Sequence, residues 1–253
     1  MQFASLGSGS KGNSTLVQVG ETLVMIDCGF SLRETLRRLA RLGVDPGQID
    51  AILVTHEHSD HCSGVAALSN KFGIPVYLTH GTAGTGRCDG SHDYCLFNCE
   101  AAFDIGELQV KAVAVPHDAV EPCQYRLSTA DLSLGILTDL GSITPHVIDN
   151  FRHCDSLLLE FNHDAAMLQE GPYPPHLKQR VAGDWGHLSN LQAADFLQQV
   201  GSDLQHLVVA HISEKNNSLE RTQGAIVGVL GSLDSVTFAG QAGGFDWLNL
   251  ERG

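Results

Sequence analysis

Apolar strand-length segments alternating with amphipathic helices in both halves of the chain predict an α/β (α+β) fold. Two mixed sheets would pack together with helices outside, an αββα sandwich. Segments 22–26, 51–54, 110–115, 132–137, 157–160 and 206–210 carry the apolar runs or alternation of strands. Between them, Leu32, Leu36, Leu39 and Leu42 recur at helical spacing after Ser31, and Gly43 supplies a stop. Ser189 and Gln192 have capping-box spacing and open a second helix carrying Ala193, Phe196, Leu197 and Val200 before Gly201. Ser218 caps a third helix that runs to about Leu230. No repeat or low-complexity linker divides the 253 residues, so residues 1–253 are expected to form one domain.

The chemistry concentrates behind the strand 51–54, where the chain reads Thr55-His56-Glu57-His58-Ser59-Asp60-His61. Imidazole and carboxylate are ligands that suit zinc, manganese or iron. Alternate side chains of a loop can converge on one ion, while Asp60 and His61 point elsewhere and can hold another. A solvated polar loop is the bland alternative for a single histidine, but not for HxHxDH leaving a strand. Further candidates stand just beyond the ends of other strands: Asp27 after 22–26, His117 after 110–115, Asp139 after 132–137 and His211 after 206–210. Strand ends along one sheet edge are where sites are usually built.

In this pattern the chain resembles the metallo-β-lactamase fold superfamily from its first strand to its last. The resemblance implies a dinuclear site holding two divalent ions, zinc or manganese. His56, His58 and His117 would hold the first ion and Asp60, His61 and His211 the second, with Asp139 bridging both. Asp27 matches an aspartate that buttresses such sites, as carboxylates behind ligating histidines do. Hydrolysis through a bridging hydroxide is the expected chemistry.

The segment from 157 to 211 carries the information about substrate. A strand-end Glu160, then His187 in Gly186-His187-Leu188-Ser189 opening a helix, then His211-Ile212-Ser213 follow the order seen in ribonuclease Z. That resemblance implies that His187 contacts the scissile phosphate and protonates the leaving group, with Glu160 orienting it. Asp60, His187 and Glu160 form the candidate catalytic set. His187 as a mere helix cap is the alternative, but Ser189 already meets that need. Ser8-Gly9-Ser10-x-Gly12-Asn13, Asn162-His163-Asp164, Gly171-Pro172-Tyr173-Pro174, Gly-His-Leu-Ser-Asn and His211-Ile212-Ser213-x-x-Asn216-Asn217 together resemble the YycJ/WalJ family. Those proteins are regarded as 5′-to-3′ DNA exonucleases. The resemblance places the glycine-serine turn beside the substrate groove, with Asn13 and Ser10 as polar contacts, and puts Ser213 and Asn217 behind the site. The turn is not a phosphate loop, because Lys11 precedes Gly12 and a strand follows.

Rival readings are a small-molecule cyclic-phosphate phosphodiesterase, a glyoxalase II-type thioesterase or lactonase, and a metal-stabilised regulatory protein without activity. A thioesterase has no use for the Glu160/His187 pair, which is the discriminator. With 15 basic and 29 acidic residues, net charge −14, the surface repels nucleic acid on average. DNA binding is therefore expected to be weak and confined to strand ends, near Lys11, Lys178, Arg180 and Lys215. No apolar run reaches the roughly 18 residues of a membrane span, and the N-terminus lacks the features of a signal peptide. Seven irregularly spaced cysteines do not make a disulfide framework, which points to a reducing cytoplasm. Cys88, His92, Cys95 and Cys99 lack the spacing of paired zinc clusters and are read as reduced, incidental thiols.

Overall fold

A computed structural model of the chain describes residues 1–201 and 204–251. The strands form two mixed sheets flanked by helices, the class the sequence predicts. Two compact units emerge: Met1–Ala114 with Ala119–Leu132 and the stretch from Ala239 onward, and Val115–Asp118 with Ser133–Phe238. Among the described residues no helix is long and apolar enough to cross a membrane.

The first unit contains β1 (Gln2–Gly7), β2 (Ser14–Val19), β3 (Thr22–Ile26), β4 (Ala51–Leu53), β5 (Pro75–Thr79) and β6 (Asp93–Phe97). Strands β1, β2 and β3 pair antiparallel, and β3 to β6 pair parallel in sequence order. Strands β7 (Ala102–Ile105), β8 (Leu108–Ala114) and β9 (Cys123–Ser128) form an antiparallel meander in the same unit. Strands β3 and β4 are wholly buried, as continuous apolar runs in parallel sheets should be. The helix Leu32–Arg41 begins where Ser31 Oγ accepts from Glu34 N, and the chain turns at Gly43 with φ +71°.

The second unit holds β10 (Ser133–Leu137), β11 (Ser156–Glu160), β12 (His206–Ala210) and β13 (Val236–Phe238), all pairing parallel. The helix Asn190–Val200 carries the expected capping box at Ser189 and buries Ala193, Phe196, Leu197 and Val200. Fully burying side chains such as Phe196 and Leu197 stabilises by about 1.5–3 kcal/mol each. The helix Leu219–Leu230 is capped by Ser218 and ends at Gly231 in the left-handed region. Strand β14 (Phe245–Asn249) returns to the first unit and pairs antiparallel with β1.

Two features depart from the sequence reading. The loop after β4 contains a one-turn helix, Ser59–Cys62, that starts directly after His58. His187 precedes its helix rather than opening it, because the first helical residue is Asn190 and Ser189 Oγ accepts from Gln192 N. The segment containing Cys88, Cys95 and Cys99 also resolves. Cys88 is buried beside Cys62, Cys95 sits on edge strand β6 beside Tyr77, and Cys99 lies against Cys123. Among the described residues, Cys88, His92, Cys95 and Cys99 do not form a ligand cluster.

Gly29 allows the helix Ser59–Cys62 to sit where it does. A Cβ at Gly29 would lie 1.7 Å from the Asp60 carbonyl oxygen, and Gly29 N donates to Asn13 O. Gly29→Ala must therefore push this backbone apart. The expected cost is about 1–3 kcal/mol, the scale of overpacking, read as a lower urea midpoint with an unchanged slope.

Candidate metal centre

Each unit presents a polar cluster at its strand ends. In the first, the chain leaves β4 fully buried through Thr55 and His56. His56 Nε2 lies 3.0 Å from His58 Nδ1, so the two imidazoles converge. The short helix turns the next residues the other way, and Asp60 Oδ2 stands 3.6 Å from His61 Nε2. The alternation expected of HxHxDH is thus produced by one turn of helix.

Asp27 holds this arrangement. Its carboxylate accepts from Thr55 N at 2.8 Å and from Thr55 Oγ1 at 2.8 Å, and lies 2.7 Å from His61 Nδ1. Burial pushes the Asp27 carboxyl up, against the pull of His61 and of the Thr55 donors. With Nδ1–H of His61 donated to Asp27, its Nε2 is the nitrogen left to bind a metal. Thr55 Oγ1 also lies 2.9 Å from His56 Nδ1, a role the sequence reading missed. Asn13, expected at the substrate groove, turns inward: its amide nitrogen reaches His61 Nε2 at 3.0 Å and Asp60 Oδ2 at 3.3 Å. Ser10 is exposed on the same turn.

In the second unit, Asp139 follows β10 and is buried. Its Oδ1 lies 4.0 Å from His117 Nε2 and 3.6 Å from His211 Nε2. His117 Nδ1 is 3.0 Å from the Gly186 carbonyl oxygen, to which it donates, again leaving Nε2 for a metal. Glu160, fully buried at the end of β11, accepts from Leu140 N at 3.0 Å and from Leu188 N at 3.1 Å through Oε1. Its other oxygen lies 3.1 Å from His187 Nδ1. Burial disfavours the charged His187 ring, but the Glu160 carboxylate outweighs it with help from Asp139, lifting the imidazole to about 9. His211 is braced by the Asn162 side chain, 3.2 Å from Nδ1 and 3.0 Å from the His211 carbonyl oxygen. Gly141 lets this loop close up, since a Cβ there would lie 2.3 Å from Gly186 N.

Three residues of this set share an uncommon backbone. Asp27, Asp139 and His211 have φ of 59°, 56° and 52°. L-residues in that region are costly, and such outliers gather at functional sites. Ser213 and Asn217 brace the loop after β12: Ser213 Oγ accepts from Asn216 N at 3.2 Å, and Asn217 donates to the Phe161 carbonyl at 2.8 Å. Of the expected cationic residues, Arg180 is paired with Asp118, Lys178 donates to the Gln169 carbonyl and Lys215 stands 5.7 Å over the Tyr173 ring.

The donor set fits a divalent ion. It consists of imidazole nitrogens and carboxylate oxygens, and Asp139, His187 and His211 each offer an atom within 4.8 Å of the others. The 3.6 and 4.0 Å gaps around Asp139 exceed hydrogen-bond length. They suit ligands that each sit about 2.0–2.2 Å from a zinc-sized ion.

Residues 7–92 match the family model of the metallo-β-lactamase superfamily. The structure is similar to that of the metallo-β-lactamase fold protein YhfI from Bacillus subtilis, with TM-score 0.76 at 16 % identity, covering 98 % of each chain. It is also similar to Zn(2+)-bound PqqB from Methylobacterium extorquens, with TM-score 0.74 at 16 % identity, covering 99 % of this chain and 100 % of that one. Strand ends furnished with histidine and aspartate on this fold define a metallo-β-lactamase fold protein.

Within that class the sequence is more particular. It is 33 % identical over 241 residues to exodeoxyribonuclease WalJ of Streptococcus pneumoniae serotype 2, covering 92 % of this chain and 89 % of that protein. It is 31 % identical over 236 residues to exodeoxyribonuclease YycJ of Bacillus anthracis, covering 91 % and 89 %. The chain belongs to the WalJ/YycJ family of the metallo-β-lactamase superfamily.

Asp27→Asn removes the charge behind His61 while keeping one acceptor. Metal affinity should fall about 10- to 100-fold, as for other outer carboxylates. Competition with a chromogenic chelator measures this, with an unchanged circular dichroism spectrum as the control.

Proposed function

We propose that this chain is a metal-dependent phosphodiesterase that removes nucleotides from DNA 5′ ends. The observation that carries the reading is the buried Glu160 carboxylate 3.1 Å from His187 Nδ1. A phosphodiester leaves as an alkoxide and needs a proton, whereas a thioester leaves as a stable thiolate. The names of the WalJ and YycJ relatives, both exodeoxyribonucleases, support DNA as the substrate. The two units are read together as one catalytic domain, because these relatives align along most of the chain.

His56, His58 and His117 are the proposed ligands of one ion and Asp60, His61 and His211 those of a second, with Asp139 shared. Zinc and manganese both accept this donor set. Two such ions supply an activated water at neutral pH and offset the charge of the phosphate. The chain's own residues do the rest. Asp27 and the Gly186 carbonyl fix the tautomers of His61 and His117. Asp60, besides holding metal, is the proposed orienting group for the attacking water. Glu160 keeps His187 protonated and aims its other nitrogen at the leaving oxygen. Seven free thiols support a reducing cytoplasm as the setting.

Metal-loaded protein offered end-labelled DNA, RNA, a thioester and a small cyclic phosphate should consume DNA from the 5′ end and stop on adding chelator. Rising salt should weaken it steeply as phosphate contacts release counterions. Rapid turnover of the thioester or cyclic phosphate with DNA intact would refute the reading.

The ligand assignments predict two ions per chain by elemental analysis, and Asp139→Ala should lose metal and activity together. His187→Ala should keep both metals yet lose at least about 100-fold in turnover, the scale of general acid–base removal. Glu160→Gln should show a smaller loss of the same kind. Emptying of a metal position in His187→Ala would instead make His187 a ligand.

The raised His187 pKa fixes the sign of a pH effect. The ring donates a proton only while protonated, so turnover should fall as pH rises through this pKa. The limb belongs at or below about 9, because nearby cations disfavour the protonated ring. It should be absent from the residual pH–rate profile of His187→Ala.

A further inference from the structure

Arg180 lies in the last turn of the helix Pro175–Ala182, and this helix end is joined to the loop that carries His187. His187 N donates to the Val181 carbonyl oxygen at 2.9 Å, and a Cβ at Gly186 would lie 2.2 Å from the Arg180 carbonyl oxygen. The side chain reaches the same site by another route. Arg180 Nε donates to Asp118 Oδ2, and Asp118 Oδ1 lies 3.5 Å from His117 Nε2, the nitrogen left for a metal. Asp118 is itself pinned, its amide donating to the Trp185 carbonyl oxygen at 2.9 Å. One carboxylate therefore sets the spacing between the guanidinium and the proposed metal ligand.

Bracing alone is a poor account of this pair. The Arg180 side chain is 59 % exposed, and exposed ion pairs add little to stability. Pairing through Nε uses one of the five N–H donors, and the two Nη groups have no partner among the described residues. An oriented guanidinium with its Nη edge open is suited to gripping a phosphate at two points. The charge balance points the same way. The chain has net charge −14, and Asp118, Asp139 and Glu160 all place carboxylates at this end of the second unit. A cation fixed beside them offsets the repulsion that a polyanionic strand would meet.

We propose that Arg180 binds the phosphate next to the scissile one in the DNA strand, and that Asp118 is the positioning residue that aims it. The assignment rests on the phosphodiesterase reading above. The Asp118 carboxylate stands between the guanidinium and His117 Nε2, which keeps Arg180 off the phosphate being cleaved. The neighbouring phosphate along the strand is then within its reach. A backbone contact of this kind fixes the register of the strand without reading its bases.

The test is binding of a fluorescently labelled single-stranded oligonucleotide to the metal-loaded protein, with phosphorothioate linkages at its 5′ end to resist cleavage. Anisotropy is measured over a range of salt concentrations. In Arg180→Ala affinity should fall, and the slope of log affinity against log salt should be shallower by about 0.7, one phosphate contact on a single strand. Arg180→Lys should restore the slope but only part of the affinity, since a point charge replaces the fork. Asp118→Ala removes a negative charge, which by itself would tighten binding; loss of the positioning residue should weaken it instead. Arg152→Ala is the control: this exposed residue precedes the start of β11, at the end of the strand away from Glu160, and its loss should change neither quantity.

An unchanged slope in Arg180→Ala overturns the contact, and tighter binding by Asp118→Ala overturns the positioning role. Loss of metal from Arg180→Ala by elemental analysis would make Arg180 a brace of the metal site and overturn the proposal. If the slope falls in Arg180→Ala yet neither DNA nor any other phosphodiester is cleaved, the reaction assignment fails and the strand contact stands. If DNA is cleaved and the slope is unchanged, the contact alone fails.

Discussion

The polar cluster of the first unit depends on the Asp27 carboxylate. It sits at the end of β3 and collects the Thr55 amide, the Thr55 hydroxyl and the His61 imidazole. Those contacts join one strand end to the loop that follows its parallel neighbour, β4. Without them Thr55 N would be a buried donor lacking its carboxylate, and His61 would be free to choose its tautomer. A buried carboxylate is costly unless matched by donors, and here the donors are the groups that need positioning. Electrostatic cost and geometric order are therefore settled by the same atoms.

Glu160 plays the corresponding part in the second unit. One oxygen takes two backbone amides from the loops that carry Asp139 and His187, and the other faces His187 itself. Its position at the end of β11, with β10 and β12 pairing on either side, anchors the loops that bring Asp139 and His211 toward it. Parallel pairing makes this possible, because successive strands then end on the same side and deliver their following residues together.

Much of this was legible before any coordinates. Buried strands such as β3, β4 and β12 announce themselves as apolar runs, and each is followed within two residues by one with polar chemistry. Ser31, Ser189 and Ser218 mark helix starts because a hydroxyl that accepts from an amide in the first turn is a local requirement. Other parts were hidden for equally physical reasons. Strand β6 is an edge strand with exposed Asp93, Tyr94 and Leu96, so it lacks the alternation that a half-buried strand shows. The helix Pro175–Ala182 follows Pro172 and Pro174 and opens on Pro175, a residue that suits the first helical position but gives no apolar periodicity to read. Thr55 and Asn13 were visible as residues, but their hydrogen bonds to His56 and His61 depend on contacts from outside their own segments. The inward turn of Asn13 comes from Asp60, whose carbonyl takes the Asn13 amide at 2.7 Å.

The left-handed backbone at Asp27, Asp139 and His211 has a consequence for how such a chain would drift. Glycine would relax each of these positions, and asparagine would ease the backbone at comparable size. A lineage selected only to stay folded would therefore gain by replacing Asp139 and His211, but not Asp27, whose carboxylate takes the buried Thr55 amide. Backbone ease and side-chain chemistry pull in opposite directions at those two strand ends. Screening for heat resistance alone would enrich for molecules that are well folded and inert.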